Sequence, residues 1–279
     1  MRRRAERRRG RRGLDPGRDD AAATKEAADD GAAITTGCSL DGPWPAGVAE
    51  GGDAATLHAF GQERILARDG QGAVTVLLRT ALAAPEDATV LADLGTAFLQ
   101  CKMCDEAIAR ISRGAELDPK NVDLLANLAQ AYQICGDIPK SVATYRETVA
   151  LAPDDPGLRN NLAVVLIVVG DLAGAESEAR RAAGLVPSGA SYLVNLGYIQ
   201  SRRGDLPGAE KTLRRALEID PQSADAHNQL GVVLAGAGRS DAAAAEFRKA
   251  LAIVPDHHGA KENLRAFEAP APSLVDDLP

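Results

Sequence analysis

From residue 54 onward, large and small apolar residues return to the same places every 34 residues. Divided into units 54–87, 88–121, 122–155, 156–189, 190–223 and 224–257, the chain has Phe60, Leu94, Leu128, Leu162, Leu196 and Leu230 at the seventh position. The eighth position is always small (Gly61, Gly95, Ala129, Ala163, Gly197, Gly231), and so is the twentieth (Ala73, Ala107, Ser141, Ala175, Ala209, Ala243). Near the end of each unit stands a proline: Pro85, Pro119, Pro153, Pro187, Pro221 and Pro255. Small residues let two helices approach closely, and the leucines fill the seam between them. A proline cannot continue a helix, so it marks the end of the second one. Asp87, Asn121, Asp155, Gly189 and Ser223 close their units with good N-cap residues for the next helix. In mid-unit, Gly136-Asp137, Gly170-Asp171 and Gly204-Asp205 supply a turn glycine and a second N-cap. The pattern predicts two helices per unit and an all-α fold.

The longest apolar run, Leu162–Val169, tests that prediction. It is far shorter than the roughly 20 residues that span a bilayer. Followed by DLAGAESEARRA, it can pass for a buried strand and its crossover helix. The equivalent segments NLAQAYQICGD and NLGYIQSRRGD cannot be strands of one buried sheet, so the run is the first helix of the fourth unit. A helix that is apolar all round is normally covered by something.

Together the 34-residue period, the small eighth and twentieth positions and the late proline resemble the tetratricopeptide repeat (TPR) family, over about 54–268. The resemblance implies a right-handed superhelical solenoid of about six helix pairs. The segment HHGAKENLRAFEA then supplies a C-terminal capping helix over 258–268, which such stacks need for solubility. The family's usual aromatic at the fourth position is replaced by Leu57, Leu91, Leu125, Arg159, Leu193 and His227.

In the family the first helix of each pair lines a concave groove, and the resemblance implies that positions 2, 5, 6, 9, 12 and 13 face it. Position 6 reads Asp93, Asn127, Asn161, Asn195 and Gln229. An amide offers a donor and an acceptor, the match for a peptide unit. Packed helices lie roughly 8–10 Å apart, and an extended peptide rises about 3.3 Å per residue. Such a ladder can therefore hold about every third residue of an extended backbone; alternatively, its amides bond to neighbouring helices of the stack. Val164, Ile167 and Val168, with Ile134 before them and Tyr198 after, make an apolar patch on the same face, open to a partner or covered by tight curvature or the chain's own tail. The expectation is a non-enzymatic scaffold that binds a protein or peptide segment in this groove. A clamp for acidic C-termini is not expected, because position 2 is nowhere basic and Arg202 is the one cation among the groove positions.

Composition narrows the rest. Aromatics make up 3% of the chain, and the alanine-, glycine- and arginine-rich composition suits a bacterial protein. The net charge of −7 conceals nine arginines within residues 1–18, against only Glu6 and Asp15. An acidic body behind a basic arm does not resemble a nucleic-acid-binding domain. Residues 1–53 are expected to form a disordered Arg-rich arm and linker, and 269–279 a disordered tail. No phosphate loop, nucleophile elbow or dinucleotide fingerprint occurs, so neither catalysis nor a cofactor is expected.

The cysteines leave alternatives open. Cys101 and Cys104 form a CxxC, and Cys135 repeats the place of Cys101 one unit later. Core packing is the first expectation, since Cys104 stands where later units carry Ile138, Leu172 and Leu206. A redox- or metal-responsive protein using Cys101, Cys104 and Cys135 is the second. With no apolar leader or spanning stretch evident, a cytoplasmic location is expected. The alternative is a cell-envelope assembly factor similar to the TPR lipoproteins of Tad-type pilus and secretion systems, anchored through Cys38.

Overall fold

The computed structural model describes residues 38–40, 42–45 and 52–268. Every regular element among them is a helix. The pairs are α1 (Ala54–Leu66) with α2 (Gly70–Ala83), α3 (Ala88–Gln100) with α4 (Cys104–Leu117), α5 (Val122–Ile134) with α6 (Ile138–Leu151), and α7 (Pro156–Val168) with α8 (Leu172–Leu185). Then follow α9 (Ala190–Arg202) with α10 (Leu206–Ile219), α11 (Ala224–Gly236) with α12 (Ser240–Ile253), and a final α13 (His258–Glu268). The described residues divide into two compact units, one within 38–185 and the other 186–268. Within the first, α2 packs on α3, α4 on α5 and α6 on α7; within the second, α10 packs on α11 and α12 on α13.

The repeat columns act where their chemistry places them. All six residues of the twentieth position are fully buried. Ser141, the one polar member, satisfies its hydroxyl by donating to the Ala129 carbonyl at 2.8 Å. The eighth position faces the twenty-fourth across each helix pair. A Cβ added at Gly61 would sit 2.5 Å from Leu77, and one at Gly197 2.6 Å from Leu213. At Gly231 it would meet the Phe247 ring at 2.5 Å. Phe247 is fully buried and has no slack, so Gly231→Ala is expected to lower stability by about 1–3 kcal/mol. Gly184, in α8 with open space around it, provides the control. There alanine is expected to raise stability by about 0.5–1 kcal/mol through its helix propensity, and urea titration of both variants reads the difference.

The helix starts are capped by side chains at most positions, including Asp87, Asn121, Asp155 and Ser223 between units and Asp137 and Asp205 within them. His257, not a usual capping residue, caps α13: its Nδ1 accepts from the Ala260 amide at 3.1 Å while Nε2 meets Asp225 at 3.0 Å. Position 15 of each unit turns between the paired helices with positive φ. Glycine fills it in units three to six, whereas Arg68 (φ 57°) and Lys102 (φ 59°) take it in the first two.

Two fourth-position departures from leucine share one arrangement. Arg159, 8% exposed, donates from Nε to the Pro153 carbonyl at 2.6 Å and from Nη1 to Glu178 at 2.5 Å. One unit beyond the next, His227 lies 2.7 Å from Glu246 through Nδ1 and 3.3 Å from the Pro221 carbonyl through Nε2. In both units a polar group at position 4 reaches the Glu at position 23 and the proline carbonyl before it. The other units pair leucine with Val76, Arg110, Thr144 or Thr212. Burial pushes the Glu246 carboxyl up, but hydrogen bonds from Lys249 and His227 outweigh it and hold the group below the usual glutamate range. A lowered folded pKa stabilises above the unfolded value and is lost as pH falls through the folded one. Between pH 6 and pH 3, Glu246→Gln is therefore expected to lose less melting temperature than the parent, most of the difference arising below about pH 4.

Candidate functional site

Which side chains remain open on the face of the first helices follows from how that face is built. Leu158, Leu162, Ala163, Val165 and Leu166 of α7 are buried in the core. Val164 and Ile167 are half-buried, and Val168 and Val169 are 60% and 49% exposed. The apolar run thus has one face in the stack and leaves the other partly uncovered. Ile134, 58% exposed at the end of α5, occupies the same repeat position as Val168. Tyr198 belongs to the second unit, where it is half-buried and its hydroxyl accepts from Arg202 Nη1 at 2.7 Å.

The amide ladder is not uniform. At position 6 of the second repeat, Asp93 accepts from Gln62 at 2.8 Å and lies 2.8 Å from His58 Nε2. His58 stands at position 5 of the preceding repeat. The same step recurs at the far end, where Asn263 of α13 donates to Asn228 at 3.0 Å, and both are buried. A polar residue at position 5 therefore engages position 6 of the next repeat within these two pairs. Position 5 is Ala92 before Asn127, Ala126 before Asn161 and Val194 before Gln229, and none of these can do so. Asn161 is exposed; burial pushes the Tyr145 hydroxyl's pKa up, and the nearby Asn161 amide opposes the shift. Asn127 and Gln229 are half-buried. Asn195 is half-buried in the second unit and already engaged. The sequence signal separating ladder amides built into the stack from the rest is thus the residue 35 positions earlier, and position 6 read alone misses it.

Three overlapping stretches, 127–190, 160–224 and 194–258, match a tetratricopeptide repeat family model. Residues 127–258 carry tetratricopeptide repeats. Solved TPR structures share the fold at low identity. YrrB, described as a TPR protein with an unusual peptide-binding site, is 20% identical over 67% of this chain and 96% of its own, with a TM-score of 0.53. TTC0263, a thermophilic TPR protein of Thermus thermophilus, is 20% identical over 65% and 98%, with a TM-score of 0.54. MamA is 22% identical over 58% and 95%, with a TM-score of 0.53. No curated protein sequence matches the chain.

The cysteines depart from simple core packing. Cys38 is bonded to Cys101 and Cys104 to Cys135, and no cysteine is free. The second bridge joins the start of α4 to the end of α5, tying two consecutive repeats. Among the described residues no cluster of three metal-ligating side chains occurs. The lipid-anchor alternative requires the Cys38 sulfur, which the bridge to Cys101 occupies. Among the described residues no helix is long and apolar enough to cross a membrane.

Cys38 also brings part of the expected linker onto the first repeat. Ser39 donates its amide to Gln71 at 2.7 Å and accepts from the same side chain at 2.9 Å. Farther along α2, Arg79 lies over the Trp44 ring at 5.2 Å. Gln71, Thr75 and Arg79 are four residues apart on α2, so residues 38–40 and 42–45 lie as a strap along one side of that helix. Residues 1–37, 41 and 46–51, including the arginines of the arm, and the tail 269–279 lie outside the described residues.

Proposed function

We propose that this TPR chain is a non-enzymatic scaffold that clasps an extended polypeptide segment along the face of its first helices. The observation that carries the reading is the row of partly uncovered apolar side chains, Ile134, Ile167 and Val168, on the same face as Asn127. Apolar exposure repeated at one place in adjacent repeats suits an interaction surface, and an amide on the same helix face can hold a backbone unit while the apolar groups take side chains. The peptide-binding site named for YrrB supports the reading by analogy of fold. In the second unit, Tyr198, Gln229 and Asn195 are candidates for the same task.

The face of the first unit carries little net charge. Asp123 is its one exposed carboxylate at the groove positions, Asp93 is paired with His58, and Gln62, Gln130 and Gln133 are neutral. The segment it accepts is therefore apolar and near neutral, and its affinity is expected to change less than about threefold between 50 and 500 mM salt, because little of it depends on screened charges.

The direct test compares the parent chain with Ile167→Glu/Val168→Glu in affinity capture from the native host, after circular dichroism shows that the variant keeps its helices. Loss of a specific polypeptide from the folded variant supports the reading. An unchanged set of captured proteins sinks it.

A further inference from the structure

We infer that this protein is made in, or exported to, an oxidising compartment, where a thiol-oxidising protein closes both bridges and Cys38 fastens the strap over the first repeat. The geometry of the repeat explains why these four cysteines meet. Cys101 and Cys135 hold position 14, the end of a first helix, in repeats two and three. Cys104 holds position 17, the start of a second helix. One step along the stack, position 17 of one repeat meets position 14 of the next, which gives Cys104–Cys135 with 5.6 Å between Cα atoms. The equivalent seam between repeats one and two would pair Gly70 with Cys101. Gly70 has no side chain, and a Cβ built there would lie 3.0 Å from the Cys101 sulfur. Cys38 enters that space from the strap and takes the place of the missing position-17 side chain, with Cα atoms 5.4 Å apart. In later repeats position 17 is apolar (Ile138, Leu172, Leu206), and Leu206 lies beside Gly236 at position 13 of the next repeat.

The strap is built to lie there. Its backbone at Ser39 is read in both directions by Gln71, Trp44 stacks on Arg79, and Cys38 packs against Leu77, Phe98 and their neighbours. A cysteine placed by chance in a linker has no reason to meet an unfilled seam, a matching amide and a cation for its only tryptophan. All four cysteines of the chain are consumed, and their partners lie 63 and 31 residues apart. Bridges of this kind persist in oxidising compartments and are rare where thiols are kept reduced. Each closure is a thiol–disulfide exchange. A cysteine thiolate attacks the disulfide of an oxidoreductase, and the second cysteine then displaces the mixed disulfide. Two protons leave the thiols, and two electrons pass to the oxidant, which departs as a dithiol.

The test is alkylation with N-ethylmaleimide of acid-quenched native host cells, followed by peptide mapping without reduction. The expected result is no alkylated cysteine and two linked peptides, Cys38–Cys101 and Cys104–Cys135. Alkylation at all four positions, or a Cys101–Cys104 link, overturns the inference. Cys38→Ser tests the fastening separately: hydrogen exchange across Ser39–Leu40 and Gln71–Arg79 should rise at least tenfold, and unchanged exchange overturns it. Combining Cys38→Ser with Gly70→Cys should move the bridge to positions 70 and 101; a protein with both thiols free after oxidation contradicts the proposed seam.

Discussion

Glu178→Ala is expected to cost about 3–5 kcal/mol, the largest effect of any single substitution considered for this chain. The reason is what it leaves behind. The Arg159 side chain is 9% exposed and Glu178 16% exposed, so removing the carboxylate strands a buried guanidinium with only the Pro153 carbonyl as partner. An unpaired buried charge is far more costly than the pair is favourable, because each ion has already lost its hydration. The converse follows from the neighbouring repeats, which fill the same two places with leucine and threonine. Arg159→Leu/Glu178→Thr is therefore expected to be neutral, or more stable by up to about 4 kcal/mol. Chemical denaturation of the two singles and the double, analysed as a mutant cycle, separates the pair from its surroundings. A Glu178→Ala cost below about 1 kcal/mol would mean that water reaches Arg159 freely.

Removal of the second bridge is the next largest. Cys104→Ala/Cys135→Ala releases a loop with a sequence separation of 31 residues. In the chain-entropy account this closure is worth about 4 kcal/mol, and measured losses run from about 2 to 5 kcal/mol. The two residues sit in the seam between repeats two and three, so the loss is expected to weaken the first unit and leave the second unchanged. Hydrogen exchange resolved along the chain reads this directly: protection should fall in α3 to α6 and hold in α10 to α12. A uniform loss across both units would contradict a local role for the bridge. Reduction of the parent protein with a thiol should give the same losses together with faster exchange at Ser39–Leu40 and Gln71–Arg79, because it opens both bridges.

The helical stack was legible because its causes recur. The small residues at positions 8 and 20, the proline and the caps appear along all six units, and each has one mechanical reading. Leu162–Val169 resolves into a helix by comparison with its equivalents, although its own composition favours a strand as readily. What the period does not carry is harder to read. Cys38 lies outside every repeat, so nothing in the 34-residue columns connects it with Cys101, and the vacancy at Gly70 that admits it exists only in three dimensions. The Asn ladder looks uniform when position 6 is read alone. Asp93 and Asn263 are bound to position 5 of the preceding repeat, whereas Asn127 follows Ala92, which has nothing to offer it. Arg159 and His227 stand out as blemishes in a leucine column; their matching partners Glu178 and Glu246, nineteen residues later, show them to be a repeated polar insert. His257 is in sequence one half of an adjacent histidine pair, and nothing in that pairing reveals that it caps α13 and holds Asp225.

The claim that the first helices form the working face is tested most directly by site-specific photo-crosslinking in the native host. A benzophenone amino acid at position 134 lies on that face, while one at Ala143, exposed on α6, samples a second helix. The account predicts a discrete crosslinked polypeptide from position 134, lost when Val168→Glu is added, and none from position 143. Equal crosslinking from both positions, or a product at 143 alone, would contradict it.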